Sequence, residues 1–460
     1  MKLLVRGGRL VTEDGVYESD LLAAGGRIER IAPSIPLPSG CREINASGMI
    51  VMPGVIDPHV HLDLNAYGYT SSDDFFSGTG SAAAGGVTTL IDFAIPSPGQ
   101  SMKEAFKEKL RRAESAALVD FSFHAQLTGS EGASLPDMEE VLEEGVRSFK
   151  IFMPSTEGWG MDDYLLYRAL EKASSLNSLV MVHAETGSLV SGFTESLISA
   201  GRVSIKDYPG SRPGFAEKTA VLRAALLAAE AGAPLYLCHL SAGSSAAEIR
   251  RLKRTGLNIL AETCPQYLVL NENIYGDEEG YLAACAPPLR KEADSFELWR
   301  GIIENTIDTA GTDHCPFLRS QKKAGGGSFL KTPMGLPGVE TLFSVMYTEG
   351  VEKRGISIES LYRLISLNPA RIFGLYPRKG TLKEGSDADL HIFSEEQGFQ
   401  IRGSELKTAC DWTPFEGMES VARTRYTVSR GEIVYENGVL KGEKGRGVFL
   451  SRGEPDLRYF

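Results

Sequence analysis

Between about residues 50 and 315, short apolar runs alternate regularly with helical stretches. Helical segments such as SMKEAFKEKLRRAESAA, DDYLLYRALEKASS and GFAEKTAVLRAALLAAEAG separate most of the runs. About eight strands in β/α alternation over this length predict a (β/α)8, or TIM, barrel. The predicted strands are MIVMPGVIDPHVH, GVTTLIDFA, DFSFHAQ, SFKIFM, SLVMVHAE, PLYLCHLS, LNILAETC and TIDTAGTDH.

A doubly wound parallel sheet is the structural alternative to the barrel. That fold predicts a glycine-rich dinucleotide turn after its first strand. The corresponding stretch here, VIDPHVHL, has no G-x-G-x-x-G pattern. We therefore favour the barrel.

The two ends of the chain are rich in short strands broken by Gly, Pro and Asn. We predict that residues 1–52 and 375–440 form one composite β-sandwich and that residues 53–374 form the barrel. Residues 441–460 are expected to be a C-terminal tail. The segment KKAGGG at 322–327 is expected to be a mobile loop.

Composition excludes some partners. The net charge of −12 and the pI near 5.3 argue against nucleic acid, because phosphate binding needs a basic surface. No secretory signal and no apolar run long enough for a bilayer is evident, so a cytoplasmic protein is expected. The six cysteines form no C-x-x-C pair and are expected to be reduced and mostly buried.

Metal-binding residue types recur where the predicted strands end, which is the end that carries the chemistry of such barrels. Each of these residues alone has an ordinary structural explanation, such as a hydrogen-bonded histidine or a helix cap. Six of them on one rim are improbable by chance. They are His59, His61, Lys150, His183, His239 and Asp313.

The charges of this set suit two divalent metal ions. Neutral imidazoles and a carboxylate are ligands that zinc accepts, and four histidines supply one pair to each ion. A lysine ammonium would repel both ions, whereas the carbamate formed by Lys150 and carbon dioxide is an anion with two oxygens. With Asp313 and a bridging hydroxide, the site would keep about one positive charge.

The sequence resembles the amidohydrolase superfamily, and within it the cyclic amidohydrolases. The resemblance covers almost the whole chain and implies a binuclear barrel with the same six metal ligands, usually as a homotetramer. It also implies that Asp313 carries a proton from the attacking hydroxide to the leaving ring nitrogen. The motifs are GVIDPHVHL, SFKIFM, VHAE, SRP followed by Glu217, LCHLS, ETCPQYL, APPLR, GTDHCPF and NPARIFGLYPRKGTLKEGSDADL.

Within this group, DDFFSGTGSAAAGG, ETCPQYL and TDHCPF are most similar to hydantoinases and dihydropyrimidinases. The expected substrate is a small cyclic amide or ureide, opened to an N-carbamoyl amino acid. Allantoinase is an alternative. Dihydroorotase is disfavoured because Asp63 stands where that branch has a carboxylate-binding arginine. A non-catalytic, dihydropyrimidinase-related assembly protein is disfavoured because all six ligand positions are kept.

Three departures from the hydantoinase pattern mark the predicted substrate pocket. Ser155 stands where the family has a tyrosine that helps to hold the oxyanion. Tyr164 and Trp159 are the candidates for supplying that missing contact. Ala286 and Met334 stand at two further substrate-contacting positions. The predicted contacts are Ser155, Ala286, Met334, Leu64 and Phe152. Leu64 and Phe152 are expected either to form, with Trp159, a pocket for a ring substituent or only to pack their loops on the barrel.

Overall fold

The computed structural model describes residues 2–128, 135–154 and 159–460. Within these ranges eight strands form one parallel sheet. A parallel bridge between Val60 and His314 joins its two edges, so the sheet is a nearly closed barrel, as predicted. Its strands are β6 (Val55–Val60), β9 (Val87–Ala94), β10 (Asp120–Gln126), β11 (Ser148–Phe152), β12 (Leu179–His183), β13 (Leu235–Leu240), β14 (Ile259–Thr263) and β15 (Thr309–Ala310).

Both ends of the chain contribute to a second, nine-stranded sheet in the described ranges. Apolar side chains from its N-terminal and C-terminal strands share one core, in which Leu10 and Val51 meet Leu390 and Val428. The sheet contains β1 (Lys2–Thr12), β2 (Gly15–Ala24), β3 (Arg27–Ala32), β4 (Arg42–Asn45), β5 (Ile50–Pro53), β16 (Leu390–Gln400), β17 (Glu419–Ser429), β18 (Glu432–Glu436) and β19 (Val439–Leu440). A separate hairpin consists of β7 (Asn65–Ala66) and β8 (Tyr69–Thr70).

Helices cover the outside of the barrel. In α2, Ala105, Phe106 and Lys109 recur on the buried side, and Ser101 begins the helix with a capping box to Glu104. The α-helices are α1 (Phe75–Ala84), α2 (Met102–Glu114), α3 (Asp137–Glu143), α4 (Asp163–Ser175), α5 (Gly187–Ser199), α6 (Tyr208–Ser211), α7 (Gly214–Glu230), α8 (Gly243–Lys253), α9 (Pro265–Val269), α10 (Glu292–Ile303), α11 (Arg319–Lys323), α12 (Leu342–Met346), α13 (Ile358–Tyr362) and α14 (Asn368–Ile372). Short 3-10 turns span Ile205–Asp207, Glu272–Gly276, Gly280–Ala283 and Gly403–Glu405, and π turns span Tyr347–Glu352 and Arg363–Leu367.

Three local expectations are wrong. The first predicted strand is in fact two strands. Gly54 N donates to Asp389 O of the composite sheet region, whereas Val55 N donates to Gly86 O beside the barrel, so the chain passes from one sheet to the other between these residues. The last predicted strand shortens to two residues because Thr312 N bonds to the Asp57 carboxylate instead of a neighbouring strand. Residues 322–327 are not a mobile loop throughout: the first two belong to α11, and Lys322 is buried.

The last residues of the chain pack under the N-terminal end of β10. Phe121 N donates to Val448 O over 3.1 Å, and Leu450 N donates to Phe121 O over 2.7 Å. Leu450 is fully buried and joins a cluster inside the barrel that includes Ile56. In the described ranges, no helix combines the length and apolar character that a membrane crossing requires.

Candidate metal centre

All six predicted ligands lie at the carboxyl-terminal rim of the barrel. They line one cavity of about 480 Å³. His59 lies in β6, Lys150 in β11 and His239 in β13, while His183 is the last residue of β12. The parallel strands bring together side chains that are as far apart in the sequence as His59 and Asp313.

His59, His61 and Asp313 form the first group. Oδ1 of Asp313 lies 3.3 Å from Nε2 of His59 and 3.0 Å from Nε2 of His61. Nε2 of His59 is buried and has no hydrogen-bond partner among the described residues. Two imidazole nitrogens and one carboxylate oxygen converging in this way fit a divalent ion such as zinc.

His183, His239 and Lys150 form the second group. The rings of His183 and His239 have centroids 4.7 Å apart, and Lys150 Nζ lies 3.4 Å from His239 Nε2. The two groups are adjacent, since the His59 and His239 rings are 5.3 Å apart. The site therefore has donors for two neighbouring ions.

Lys150 is only 1% exposed and packs between two aromatic rings. Its Nζ lies 5.3 Å from the centre of the Phe93 ring and 5.1 Å from that of Phe152. No carboxylate of the described residues forms an ion pair with it. A buried ammonium without a counter-ion is unfavourable, so this environment suits a modified, anionic form of the side chain.

The ligand side chains have protonation states suited to metal binding. Burial lowers the pKa of His59 well below its usual value, and the nearby Lys150 lowers it further. The imidazole is therefore neutral. Burial alone would raise the pKa of Asp313, but the favourable interaction with His59 and the hydrogen bond with His61 prevail and lower it to about 2. Asp313 is therefore a carboxylate at neutral pH.

Glu262 supports His59 from beneath the site. Its carboxylate accepts hydrogen bonds from His59 Nδ1 at 2.7 Å, from the Tyr236 hydroxyl at 2.8 Å and from His239 N at 3.0 Å. Burial raises the pKa of Glu262 to about 7. A carboxylate on Nδ1 fixes the ring orientation and leaves Nε2 for a metal ion.

Glu185 supports the His183 ring with a carboxylate, as Glu262 supports the His59 ring. The sequence did not reveal this contact. Its Oε2 lies 2.7 Å from His183 Nε2 and also accepts a hydrogen bond from Arg212. Burial opposes ionisation of Glu185, but Arg212 and His183 lower its pKa to about 2. The only sequence signal was its position two residues after His183, in the motif VHAE.

Most predicted substrate-contacting residues line the cavity. Leu64, Phe152, Ala286 and Met334 all do so, and Trp159 packs on Phe152 with ring centroids 5.3 Å apart. Ser155 lies outside the described residues.

Tyr164 is a wrong choice as a replacement for the missing tyrosine. It lies on α4, is 65% exposed and accepts a hydrogen bond from Arg168, away from the cavity.

Asp63 does not act as predicted. It is not among the cavity-lining residues, and its carboxylate pairs with Arg112 at 2.6 Å. Arg112 neutralises the charge, so Asp63 gives no argument against a substrate carboxylate. Its backbone has a positive φ of 53°.

Further cavity residues went unnoticed in the sequence. Tyr67, Tyr208 and Arg212 lie on loops or short helices beyond the strand ends, where periodicity carries no information. Arg212 precedes Pro213 in the motif SRP, but the pattern did not reveal its ion pair with Glu185.

Comparisons with known proteins agree with this geometry. The amidohydrolase family model matches residues 50–434. The D-hydantoinase of Geobacillus stearothermophilus is 36% identical over 99% of this chain and 97% of its own length. A D-phenylhydantoinase of Escherichia coli O1:K1 / APEC is 36% identical over 98% of both chains.

Solved structures show the same similarity. The dihydropyrimidinase from Brevibacillus agri NCHU1002 superposes with a TM-score of 0.96 at 34% identity, covering 99% of both chains. The L-hydantoinase from Arthrobacter aurescens gives a TM-score of 0.91 at 32% identity, covering 98% of this chain and 99% of its own. This chain therefore belongs to the amidohydrolase family and, within it, to the hydantoinase and dihydropyrimidinase branch.

Proposed function

We propose that this protein hydrolyses the ring amide of hydantoins or dihydropyrimidines and releases N-carbamoyl amino acids. The observation that carries the proposal is the convergence of His59 and His61 on Asp313 beside the group of Lys150, His183 and His239. The hydantoinases and dihydropyrimidinase similar to this chain support the choice of ring.

Family membership implies a binuclear metal centre, and we propose zinc as its metal. His59, His61 and Asp313 would hold one ion, His183 and His239 the other, and a carboxylated Lys150 would join them. When bound, such ions would activate a water molecule and polarise the ring carbonyl. The absence of a described counter-ion at Lys150 supports carboxylation.

Asp313 is the proposed proton carrier. Its carboxylate is ionised at neutral pH, so an oxygen is available to accept a proton as the nucleophile attacks. It would then release this proton to the ring nitrogen, so that the carbon–nitrogen bond breaks with a neutral leaving group. Phe152 and Trp159 line the cavity and would keep water from one side of a bound ring.

Leu64, Phe152, Ala286, Met334 and Ser155 are the proposed substrate contacts. We further propose a cytoplasmic homotetramer. Family resemblance favours the tetramer, and six free cysteines suit a reducing compartment. Allantoinase, dihydroorotase and a non-catalytic assembly role are not favoured by the similar proteins.

A substrate panel tests the proposal. Purified protein supplied with zinc and bicarbonate is given hydantoin, 5-substituted hydantoins of both hands, dihydrouracil, allantoin and dihydroorotate, and ring opening is followed for each. We expect opening of hydantoins or dihydrouracil. Activity on allantoin or dihydroorotate alone would reassign the branch, and a metal-loaded protein inactive on every ring would favour an assembly role.

Lys150→Ala tests the proposed bridge. We expect loss of activity and of bound metal, measured by elemental analysis, because the histidine pairs then lack a shared anion. A short carboxylic acid added to the variant should restore part of the activity by supplying that anion. Full retention of two metal ions by Lys150→Ala would disprove the carbamate bridge.

A further inference from the structure

A buried side-chain amide beside Lys150 lacks a hydrogen-bond partner. Gln126 is the last residue of β10 and is 1% exposed. Its amide nitrogen, Nε2, is enclosed and makes no hydrogen bond with the described residues. Gln126 is not among the cavity-lining residues, so a bound substrate is not the missing acceptor. A buried donor without an acceptor is costly, so we expect an acceptor that the unmodified side chains do not supply.

The register of the barrel strands places Gln126 next to Lys150. In the parallel pair of β10 and β11, Gln126 lies opposite Lys150, and Leu127 N donates to Lys150 O over 2.9 Å. Neighbouring strands lie about 4.8 Å apart, and residues paired across them direct their side chains to the same face. The pair one step earlier on that face, His124 and Ser148, is joined by a hydrogen bond between the two side chains.

This face is the interior of the barrel. The Phe93 ring of β9 has its centre 4.8 Å from that of the His124 ring and 5.3 Å from Lys150 Nζ. The same ring lies 4.7 Å from the ring of the proposed ligand His59. Because side chains alternate along a strand, Gln126 shares the inward face with His124, one step nearer the carboxyl-terminal rim. The amide therefore belongs to the wall that surrounds Lys150.

We propose that Gln126 is a positioning residue for the carbamate of Lys150, with Nε2 donating a hydrogen bond to a carbamate oxygen. The inference rests on the proposed function and deepens it, because it identifies a residue that favours carboxylation. In that step the neutral Lys150 amine forms a nitrogen–carbon bond to carbon dioxide, a carbon–oxygen π pair moves to oxygen, and a proton leaves the nitrogen for solvent. The product supplies the acceptor that Gln126 lacks and the negative charge that Lys150 lacks.

Gln126→Met tests the proposal, because methionine has nearly the same size and no donor. The full-length protein is stripped of metal and reloaded with zinc at increasing concentrations of isotope-labelled bicarbonate, while NMR follows the carbamate carbon and elemental analysis follows bound metal. We expect the bicarbonate concentration for half-maximal carboxylation to rise about tenfold, as for loss of a hydrogen bond to a charged group. Without zinc and bicarbonate the variant should melt no lower than the wild type, since an unpaired buried donor has been removed.

Ser148→Ala is the matched control, because it removes a hydrogen bond between the same two strands one step further from the rim. It should lower the melting temperature but keep the bicarbonate requirement within about twofold of the wild type. Gln126→Asn, which withdraws the amide by one carbon, should give an intermediate requirement and decides the question if Gln126→Met does not fold.

An unchanged bicarbonate requirement in the Gln126 variants, or an equal rise in Ser148→Ala, would overturn the proposal. A wild type that shows no carbamate signal would overturn the proposed bridge and this inference together. A wild type that forms the carbamate but opens none of the rings would overturn the proposed function alone and leave the role of Gln126 standing.

Discussion

At the scale of single residues, Lys322 is a buried lysine whose protonation state depends on pH. Its side chain is fully buried, and Nζ donates to Ala284 O over 2.7 Å and lies 5.4 Å from the centre of the Trp412 ring. Ala284 O also accepts a hydrogen bond from Gly335 N, so Lys322 joins two segments beside the cavity. Burial lowers the pKa of Lys322 to about 7.

This pKa predicts a stability difference that depends on pH. Between pH 7 and about 10 the unfolded chain keeps the Lys322 proton and the folded chain loses it, so the folded state gains stability as pH rises. Relative to Lys322→Met, the free energy of unfolding of the wild type should increase between pH 7 and 8.5, by at most about 1.4 kcal/mol per pH unit.

Urea unfolding at several pH values measures this difference. Lys323→Met is the control, because Lys323 is the exposed neighbour on the same helix. A difference between wild type and Lys322→Met that stays flat or falls with pH would show that Lys322 remains charged in the folded state.

At the scale of elements, the turn from α1 into β9 sets the position of the first barrel strand. Gly86 has a φ of 85°, and its carbonyl accepts a hydrogen bond from Val55 N at the start of β6. A Cβ on Gly86 would overlap the ring of His391 in β16. The turn therefore depends on glycine for both its conformation and its packing.

Gly86→Ala should lower the free energy of unfolding by about 2–4 kcal/mol, since backbone strain and overpacking add. Gly99→Ala is the matched control: Gly99 has a φ of 80° but open space around it. It should cost only the strain, about 1 kcal/mol. Equal costs in urea unfolding would mean that the contact with His391 relaxes freely.

At the scale of the whole molecule, Lys379 connects the barrel to the composite sheet. It is 1% exposed, and its Nζ lies 2.7 Å from Asp120 of β10 and 2.6 Å from Asp389, the residue before β16. Asp387 is a third partner at 3.1 Å. The domain division at residues 52, 374 and 440 stays a prediction, but this ion cluster shows how closely the two sheets are joined.

Lys379→Met should lower the free energy of unfolding by about 3–5 kcal/mol, because it leaves buried carboxylates without their shared cation. Arg378→Met is the control, since Arg378 contacts Asp387 with a side chain that is 46% exposed. That change should cost at most about 1 kcal/mol. Comparable losses in the two variants would mean that the cluster contributes little to stability.

The sequence by itself determined the barrel and named the six candidate ligands at its rim. Strand and helix periodicities report local burial, and parallel strands necessarily bring their carboxyl ends to one rim. Because His59, Lys150 and His239 lie in neighbouring parallel strands of one barrel, this rule brings them together. The metal-binding residue types then restricted the chemistry.

Only the tertiary structure decided which distant side chain contacts which. Glu262 reaches His59, Arg212 reaches Glu185, and Arg112 neutralises Asp63, although these partners are far apart in the chain. Such pairs depend on how helices and loops pack on the barrel, and local periodicity contains no information about that packing. The same reason explains why Tyr67, on a two-residue turn, emerged as a cavity residue only in three dimensions.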